Sequence, residues 1–437
     1  MGMEPAAAYV AGRSIRPAPP PSGAAGPVAW LRTNLFSSVS NALLTLITAY
    51  LIYDLLADVI PWLFLDSVWN AGSLIECRAV DDGACLAVIR ERYTQFLFGF
   101  YPLEERWRPA AAFALLFASL YPVLFASAPR WMLLLTASYP LLAYWLVWGG
   151  SVWGPATVAL GLVIAAFVVR FGPRALAAVM SEDMAFMVSL ASGGLLTALW
   201  WLFVVETVNG ALTPIIGIGL TPVESDRIGG FLLSLIIGVS GIAASLPVGI
   251  CLALGRQSNL LIIKAFCVGF IEFIRGVPLI TLLFVASVLL AYFLPPGTVF
   301  DLVLRVVIMV TAFASAYMAE VIRGGLAALP RGQHEAADAL GLNYWKSMRL
   351  IILPQALKLS IPGIVNTFIG LFKDTTLVVI IGLLDPVGLL GPIRADQNWN
   401  GIVWELYGFV ALFFFVFCFS MSRYSMYLER RLRAERN

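Results

Sequence analysis

One histidine, His334, serves the whole 437-residue chain, and only 12% of its residues are charged. With a single imidazole there is little material for a zinc hydrolase, a Ser-His nucleophile or a haem held between two histidines. None of the lysines (Lys264, Lys346, Lys358, Lys373) follows a glycine, so the Gly-Lys-[Ser/Thr] end of a phosphate-cradling loop is missing. The chain is not expected to hydrolyse ATP by itself. No internal repeat is visible. An ion-coupled secondary transporter acting alone is the alternative function, but it usually shows such a repeat with matched broken helices. A membrane enzyme of lipids would need a cluster of carboxylates, and the acids of loop 61–109 (Asp66, Asp81, Glu104) are scattered.

What the chain has in quantity is apolar surface: 60% of its residues are hydrophobic and the mean hydropathy is +0.88. A soluble domain carries roughly 25% charged residues, so this chain needs apolar solvent on most sides. A span takes about 20 apolar residues at 1.5 Å each. About ten segments qualify, predicting an all-α integral membrane protein: 35–60, 110–128, 131–148, 154–169, 186–205, 228–254, 261–294, 302–321, 360–384 and 402–426. The seventh is too long for one straight span and is expected to bend at Gly276-Val277-Pro278. With ten spans both termini share a side. Placing them in the cytoplasm puts most of the 28 Lys and Arg in inner loops and tails, as the positive-inside rule requires. The long loop 61–109 is then on the outer side. Residues 1–34 begin with a Pro-rich stretch that cannot pack (Pro17–Pro27) and read as a disordered cytoplasmic tail. A polar boundary near 221–226 divides an accessory region, 35–226, from a second region, 227–437, richer in Gly and in charges set inside apolar runs.

Cys77 and Cys85 bracket Asp81-Asp82-Gly83 in the outer loop, a spacing that suits a disulfide in an oxidising compartment. Zinc is the weaker reading there, because His334 lies on the other side, and no metal site is expected. Cys251, Cys267 and Cys418 lie in or beside apolar helices and read as packing residues.

The most informative segment is E-A-A-x3-G-x9-I-x-L-P, running from Glu335 through Ala336, Ala337 and Gly341 to Pro354. It is polar and lies between two long apolar runs. A short helix from about Gln333 closes at Gly341 in a left-handed cap. Asn343 then caps a second helix, Tyr344 to Leu353, expected to stop before Pro354. The small residues Ala336, Ala337 and Ala339 beside one acid are suited to a close-docking partner. The membrane charges form a second group. Glu272 and Arg275 at i and i+3 can pair on one helix face, and Glu320 and Arg323 repeat the spacing as a structural ion pair. Neighbouring Lys373 and Asp374 point about 100° apart on a helix, at 3.6 residues per turn, and cannot simply neutralise each other. A charge at mid-bilayer costs roughly 2.5–3.5 kcal/mol on insertion scales. Glu272, Arg275, Lys373 and Asp374 are therefore candidates for a substrate path or gate.

Together these residues resemble the permease subunits of ABC-type importers for polar amino acids, the histidine/glutamine permease group. The match runs through Glu272-Phe273-Ile274-Arg275-Gly276-Val277-Pro278-Leu279, Ala319-Glu320-Val321-Ile322-Arg323-Gly324-Gly325, the Glu-Ala-Ala segment to Gln355, and Phe372-Lys373-Asp374-Thr375. Val277 stands where the family more often has threonine. The first half, with Cys77, Cys85 and Tyr101-Pro102-Leu103-Glu104-Glu105-Arg106-Trp107-Arg108, is similar to the extended subset in general L-amino-acid importers that adds spans before the core. The resemblance implies a type I ABC importer permease core over 227–437, in the bacterial inner membrane, with the outer loop 61–109 in the periplasm. It implies a cytoplasmic coupling loop, 324–358, in which Glu335, Ala336, Ala337 and Gly341 dock on an ATPase. The implied partners are a second homologous permease (a heterodimer), two ABC ATPase subunits and a periplasmic substrate-binding protein, with no nucleic acid. No cofactor is expected on this chain; ATP and Mg belong to the ATPase.

Overall fold

The structure is a computed structural model that describes residues 26–125, 127–289, 292 and 301–434. Two compact units divide it. The first contains the described residues up to Ala71 together with Ile75–Leu86. Here Pro27–Asn34 is a helix (α1), a departure from the expected tail; Pro27 supplies a pre-set φ at its first turn. The rest of that tail, before Gly26, lies outside the described residues. Ser38 caps the apolar helix Val39–Ile60 (α2), its side chain accepting from the Asn41 amide at 3.2 Å. None of its residues is buried, as suits a helix solvated by lipid. Cys77, on helix Leu74–Val80 (α3), and Cys85 are joined as a disulfide with Cα atoms 5.8 Å apart. The Ala84 amide donates to Trp62 O at 2.8 Å and the Val68 amide to Ala84 O at 2.9 Å, which fastens this turn to residues 62–68.

The second unit holds Gly72–Leu74 and everything from Ala87 onward. Its helices before the core are Ala87–Phe98 (α4), Trp107–Leu124 (α5), Met132–Trp148 (α6), Trp153–Leu176 (α7) and Glu182–Leu212 (α8). An antiparallel pair of two-residue strands, Gly150–Ser151 (β1) and Gly219–Leu220 (β2), ties the open ends of the α7–α8 hairpin in the register Gly150↔Leu220 and Ser151↔Gly219. The core then runs Gly230–Arg256 (α9), Leu261–Gly276 (α10), Leu279–Phe284 (α11), Leu302–Ala327 (α12), Gly332–Ala339 (α13), Tyr344–Ser347 (α14), Leu353–Asp374 (α15), Leu390–Ala395 (α16) and Trp404–Ala434 (α17).

Eight helices among the described residues are long and apolar enough to cross a membrane, against about ten expected. The pair Leu261–Gly276 and Leu279–Leu289, bent by 103°, makes a ninth. The bend falls where foreseen: Pro278 lacks the amide that would continue the ladder, and Val277 turns extended ahead of it. Met132–Trp148, at 17 residues, sits at the lower end of spanning length. The far end of the seventh segment lies outside the described residues.

Hydrophobic packing does not divide at 226. Tyr101, Ala112, Leu146, Val147 and Val223 share one buried cluster with Ile228, Leu233, Ile237, Val306 and Leu383. Glycines make this close approach possible. Gly99 (φ +65°) and Gly230 (φ +62°) adopt left-handed backbone, and a Cβ on Gly230 would run into the Phe96 carbonyl. Deeper in the core, Gly249 of α9 meets Met318 of α12 with no space for a Cβ, and Gly241 meets Val310 tightly, the small-residue contact by which membrane helices pack.

Candidate functional site: a docking loop and a charge cluster

The segment that carries the Glu-Ala-Ala motif is a helical hairpin. Helix α13 ends where Gly341 turns left-handed (φ +68°) with open space around the position of a Cβ. Asn343 caps the next helix, its Oδ1 accepting from the Lys346 amide at 3.0 Å. Two details differ from expectation. First, the second helix does not stop before Pro354. A wide π turn, Met348–Ile352, joins α14 to α15, leaving Pro354 in the first turn of α15 where a missing amide is tolerated. The helical run is therefore continuous from Tyr344 to Ile381. Second, the alanines do not form one patch. Glu335, Ala336 and Ala339 are exposed, but Ala337 is fully buried. Positions i, i+1 and i+4 share the outward face and i+2 faces inward, so Ala337 anchors the helix and Glu335 with Ala336 presents it.

The charges set in apolar runs gather at one end of the core, where α9 ends, with a changed pairing. Glu272 does not pair with Arg275. It meets Arg256 at the C-terminal end of α9, Nη1 to Oε1 3.0 Å, and the same Nη1 reaches Glu320 Oε2 at 3.1 Å. Arg323 binds Glu320 with Nε at 2.7 Å and Nη2 at 2.5 Å. Arg275 approaches Glu320 at 3.8 Å and lies over the Tyr317 ring at 5.5 Å. Three helices, α9, α10 and α12, thus converge on one carboxylate. The expectation failed because residues 256 and 272 are far apart in sequence, and no spacing rule joins the two ends of a helix hairpin. Within this cluster, the position of Arg256 at the last turn of a helix, where a cation is favoured, gave a signal.

Lys373 is exposed and Asp374 half-buried, and neither forms an ion pair among the described residues. They close α15 where it tightens into the 3-10 turn Thr375–Ile381. Sequence reasoning also passed over Arg305, on α12. It is the one charged residue lining a cavity of about 430 Å³ with Phe284, Val288, Leu302 and Ile380. Its Nη1 donates to Ser287 O at 3.0 Å, and its buried Nε has no partner. A charge inside an apolar run was the available signal.

Arg108, 1% exposed, pairs with Glu105 at 2.6 Å, donates Nη1 to Thr221 O at 2.7 Å and also meets the Thr221 hydroxyl. Trp148 Nε1 reaches Ser225 Oγ at 2.7 Å. These contacts fasten the accessory helices to the segment that enters the core. Asp385 is buried in the loop after Gly382, accepting from the amides of Gly388 at 2.9 Å and Val387 at 3.1 Å. Burial pushes its carboxyl up to about 6 despite those two hydrogen bonds.

Residues 245–434 match the model of the binding-protein-dependent transport system inner membrane component. The glutamate/glutamine/aspartate/asparagine transport system permease protein BztC of Rhodobacter capsulatus is 54% identical, over 98% of this chain and 98% of the relative. The chain belongs to the amino-acid ABC transporter permease family. The inner membrane amino-acid ABC transporter permease protein YhdY of Escherichia coli is 40% identical over 96% of this chain and 97% of its own length. The probable glutamine ABC transporter permease protein GlnM of Bacillus subtilis is 33% identical over 46% of this chain, which is 91% of that relative. The family therefore has full-length relatives of this chain and shorter ones, and this permease is of the extended kind. A crystal structure of an amino acid ABC transporter with histidines aligns with TM-score 0.42 and 30% identity over 46% of this chain and 91% of that one. The permease is a multi-pass protein of the inner membrane, and membership implies work alongside an ATPase and a substrate-binding protein.

Proposed function

We propose that the permease is one of two membrane subunits of an ATP-driven, binding-protein-dependent importer of polar amino acids, coupled to its ATPase through α13. The observation that carries this is the geometry of that helix. Glu335 and Ala336 face outward, Ala337 is buried as the anchor, and a left-handed Gly341 separates the helix from a helical run that continues through the membrane. A rigid run of this kind turns a push on α13 into motion of α15. Two ATPase subunits, using ATP and Mg, close on the coupling helices of this chain and of a second, homologous permease in a heterodimer. The core bundles rock as rigid bodies, with the broken segment at Val277-Pro278 as a hinge and Glu272, Arg275, Lys373 and Asp374 as gate or path residues. A periplasmic binding protein delivers the substrate, and both termini lie in the cytoplasm. The name of one full-length relative, BztC, favours acidic amino acids and their amides as cargo.

Co-purification with the ATPase, followed by ATP hydrolysis in the presence of binding protein loaded with L-glutamate or L-glutamine, tests the proposal. Hydrolysis is expected to rise with loaded and not with empty binding protein. An ATPase that neither co-purifies nor responds contradicts it.

A further inference from the structure

The α7–α8 hairpin meets the residues after 227 at one corner, through two hydrogen bonds, an ion pair and a ring contact. Glu182, the first residue of α8, uses a single oxygen, Oε2, to accept from Lys346 Nζ at 2.7 Å and from Asn343 Nδ2 at 3.0 Å. One turn on, the Phe186 ring meets Trp345 with centroids 5.3 Å apart and planes tilted by 47°. All three partners lie at the start of the second helix of the docking hairpin. Asn343 is its cap and is used from both sides: Oδ1 takes the Lys346 amide while Nδ2 serves Glu182. Gly341, the left-handed joint between the two helices of the hairpin, is two residues away.

We propose that Glu182 and Phe186 are positioning residues for the coupling helix, so that the accessory hairpin braces the docking loop at its joint. This rests on the function proposed above. Stability alone is a poor reason for the ion pair. The side chains of Glu182 and Lys346 are 65% and 55% exposed, and pairs in that setting contribute little to folding. Geometry is a better one. Lys346 and Asn343 can turn to water if Glu182 is absent, but the joint beside Gly341 then loses its only polar tether to the hairpin among the described residues. The other end of the hairpin is held by β1 and β2 and, through residues 221–225, by Arg108 and Trp148. A push on α13 therefore meets a strut fixed at its far end. The shorter relatives point the same way: with 205 matched residues making up 91% of the protein, GlnM is too short to carry the helices before the core. The brace is then an addition peculiar to extended permeases, sharpening a coupling that the core performs without it.

The test uses the assembled transporter in proteoliposomes, with its partner permease, ATPase and binding protein and L-glutamate as the probe. Uptake per ATP hydrolysed is measured alongside thermal melting of the complex. Glu182→Lys and Lys346→Glu should each lower the ratio about three- to tenfold, the size expected when a favourable charge contact becomes a repulsive one. The melting temperature should barely move, and the combined swap should recover most of the ratio. Glu182→Gln keeps an oxygen for Asn343 and loses only the charge; an intermediate loss is expected, so poor assembly of the reversals does not stop the test. An unchanged ratio in both Glu182→Gln and Phe186→Ala overturns the brace, as does a swap that recovers nothing. Lower melting with an unchanged ratio makes the corner a stabilising contact only and also overturns it. If the unmodified transporter shows no ATP-driven uptake, it is the proposed function that has failed, and the brace falls with it.

Discussion

Replacing Glu320 with glutamine removes the charge on which three arginines converge. Arg256 keeps Glu272 at 3.0 Å, but Arg275 and Arg323 lose the only acid either contacts among the described residues. The side chains involved are 23–41% exposed, Glu272 apart, so the cost lies between an exposed pair, at about 0–1 kcal/mol, and a buried one, at about 3–5 kcal/mol. We take about 2 kcal/mol for Glu320→Gln. Arg275→Gln gives up a long 3.8 Å approach and a ring contact with Tyr317, together about 1 kcal/mol or less. The two variants should therefore rank clearly in thermal unfolding of the purified complex followed by tryptophan fluorescence, with Glu320→Gln the lower. The Arg256→Met variant belongs between them, because one nitrogen joins both acids. If Arg275→Gln melts as low as Glu320→Gln or lower, the cluster is not centred on Glu320 and the argument from distances fails.

Asp385 gives a pH dependence. Its folded-state value of about 6 lies above the ordinary 3.8, so folding favours the protonated form. Its contribution is most favourable below about 4 and is lost as pH rises through about 6, amounting to about 3 kcal/mol when complete. Melting measured from pH 4.5 to 7.5 should show this loss, and Asp385→Asn should flatten the profile; an unaltered profile refutes it. Thiol labelling of intact, non-reduced protein should miss Cys77 and Cys85; ready labelling at either shows free thiols. Lys373→Met should change uptake or complex yield if the lysine serves the path or gate, since a charge at membrane depth is costly without a partner or a watery cavity. Unchanged uptake with raised thermal stability would remove it from the mechanism.

The core was legible because its signals are local. Charges at fixed offsets in apolar runs, a glycine after a short helix, an Asn cap and a proline break each act within a turn or two of chain. What escaped depends on distant segments meeting. Arg256 reaching Glu272 and Glu320, Glu182 reaching Lys346, and Arg108 reaching Thr221 have no periodicity to betray them. Proline was misjudged once in each half: Pro354 passes inside a helical run because a π turn makes room, and Pro27 starts a helix instead of extending a tail. The expected boundary at 226 followed composition, whereas packing follows Tyr101, Val147 and Val223 across it.

The most direct measurement is ATP-driven L-glutamate uptake by the reconstituted transporter carrying Glu335→Lys. Glu335 is exposed in the first turn of α13, and its side chain makes no hydrogen bond or ion pair among the described residues, so the variant should insert, assemble with its partner permease and melt like the unmodified protein. Reversing a charge at the docking surface costs several kcal/mol of association, enough to remove ATPase binding and with it uptake. Loss of uptake with intact insertion is the predicted result. Normal uptake by Glu335→Lys, at normal ATPase stoichiometry, contradicts the claim that this loop couples the permease to its motor.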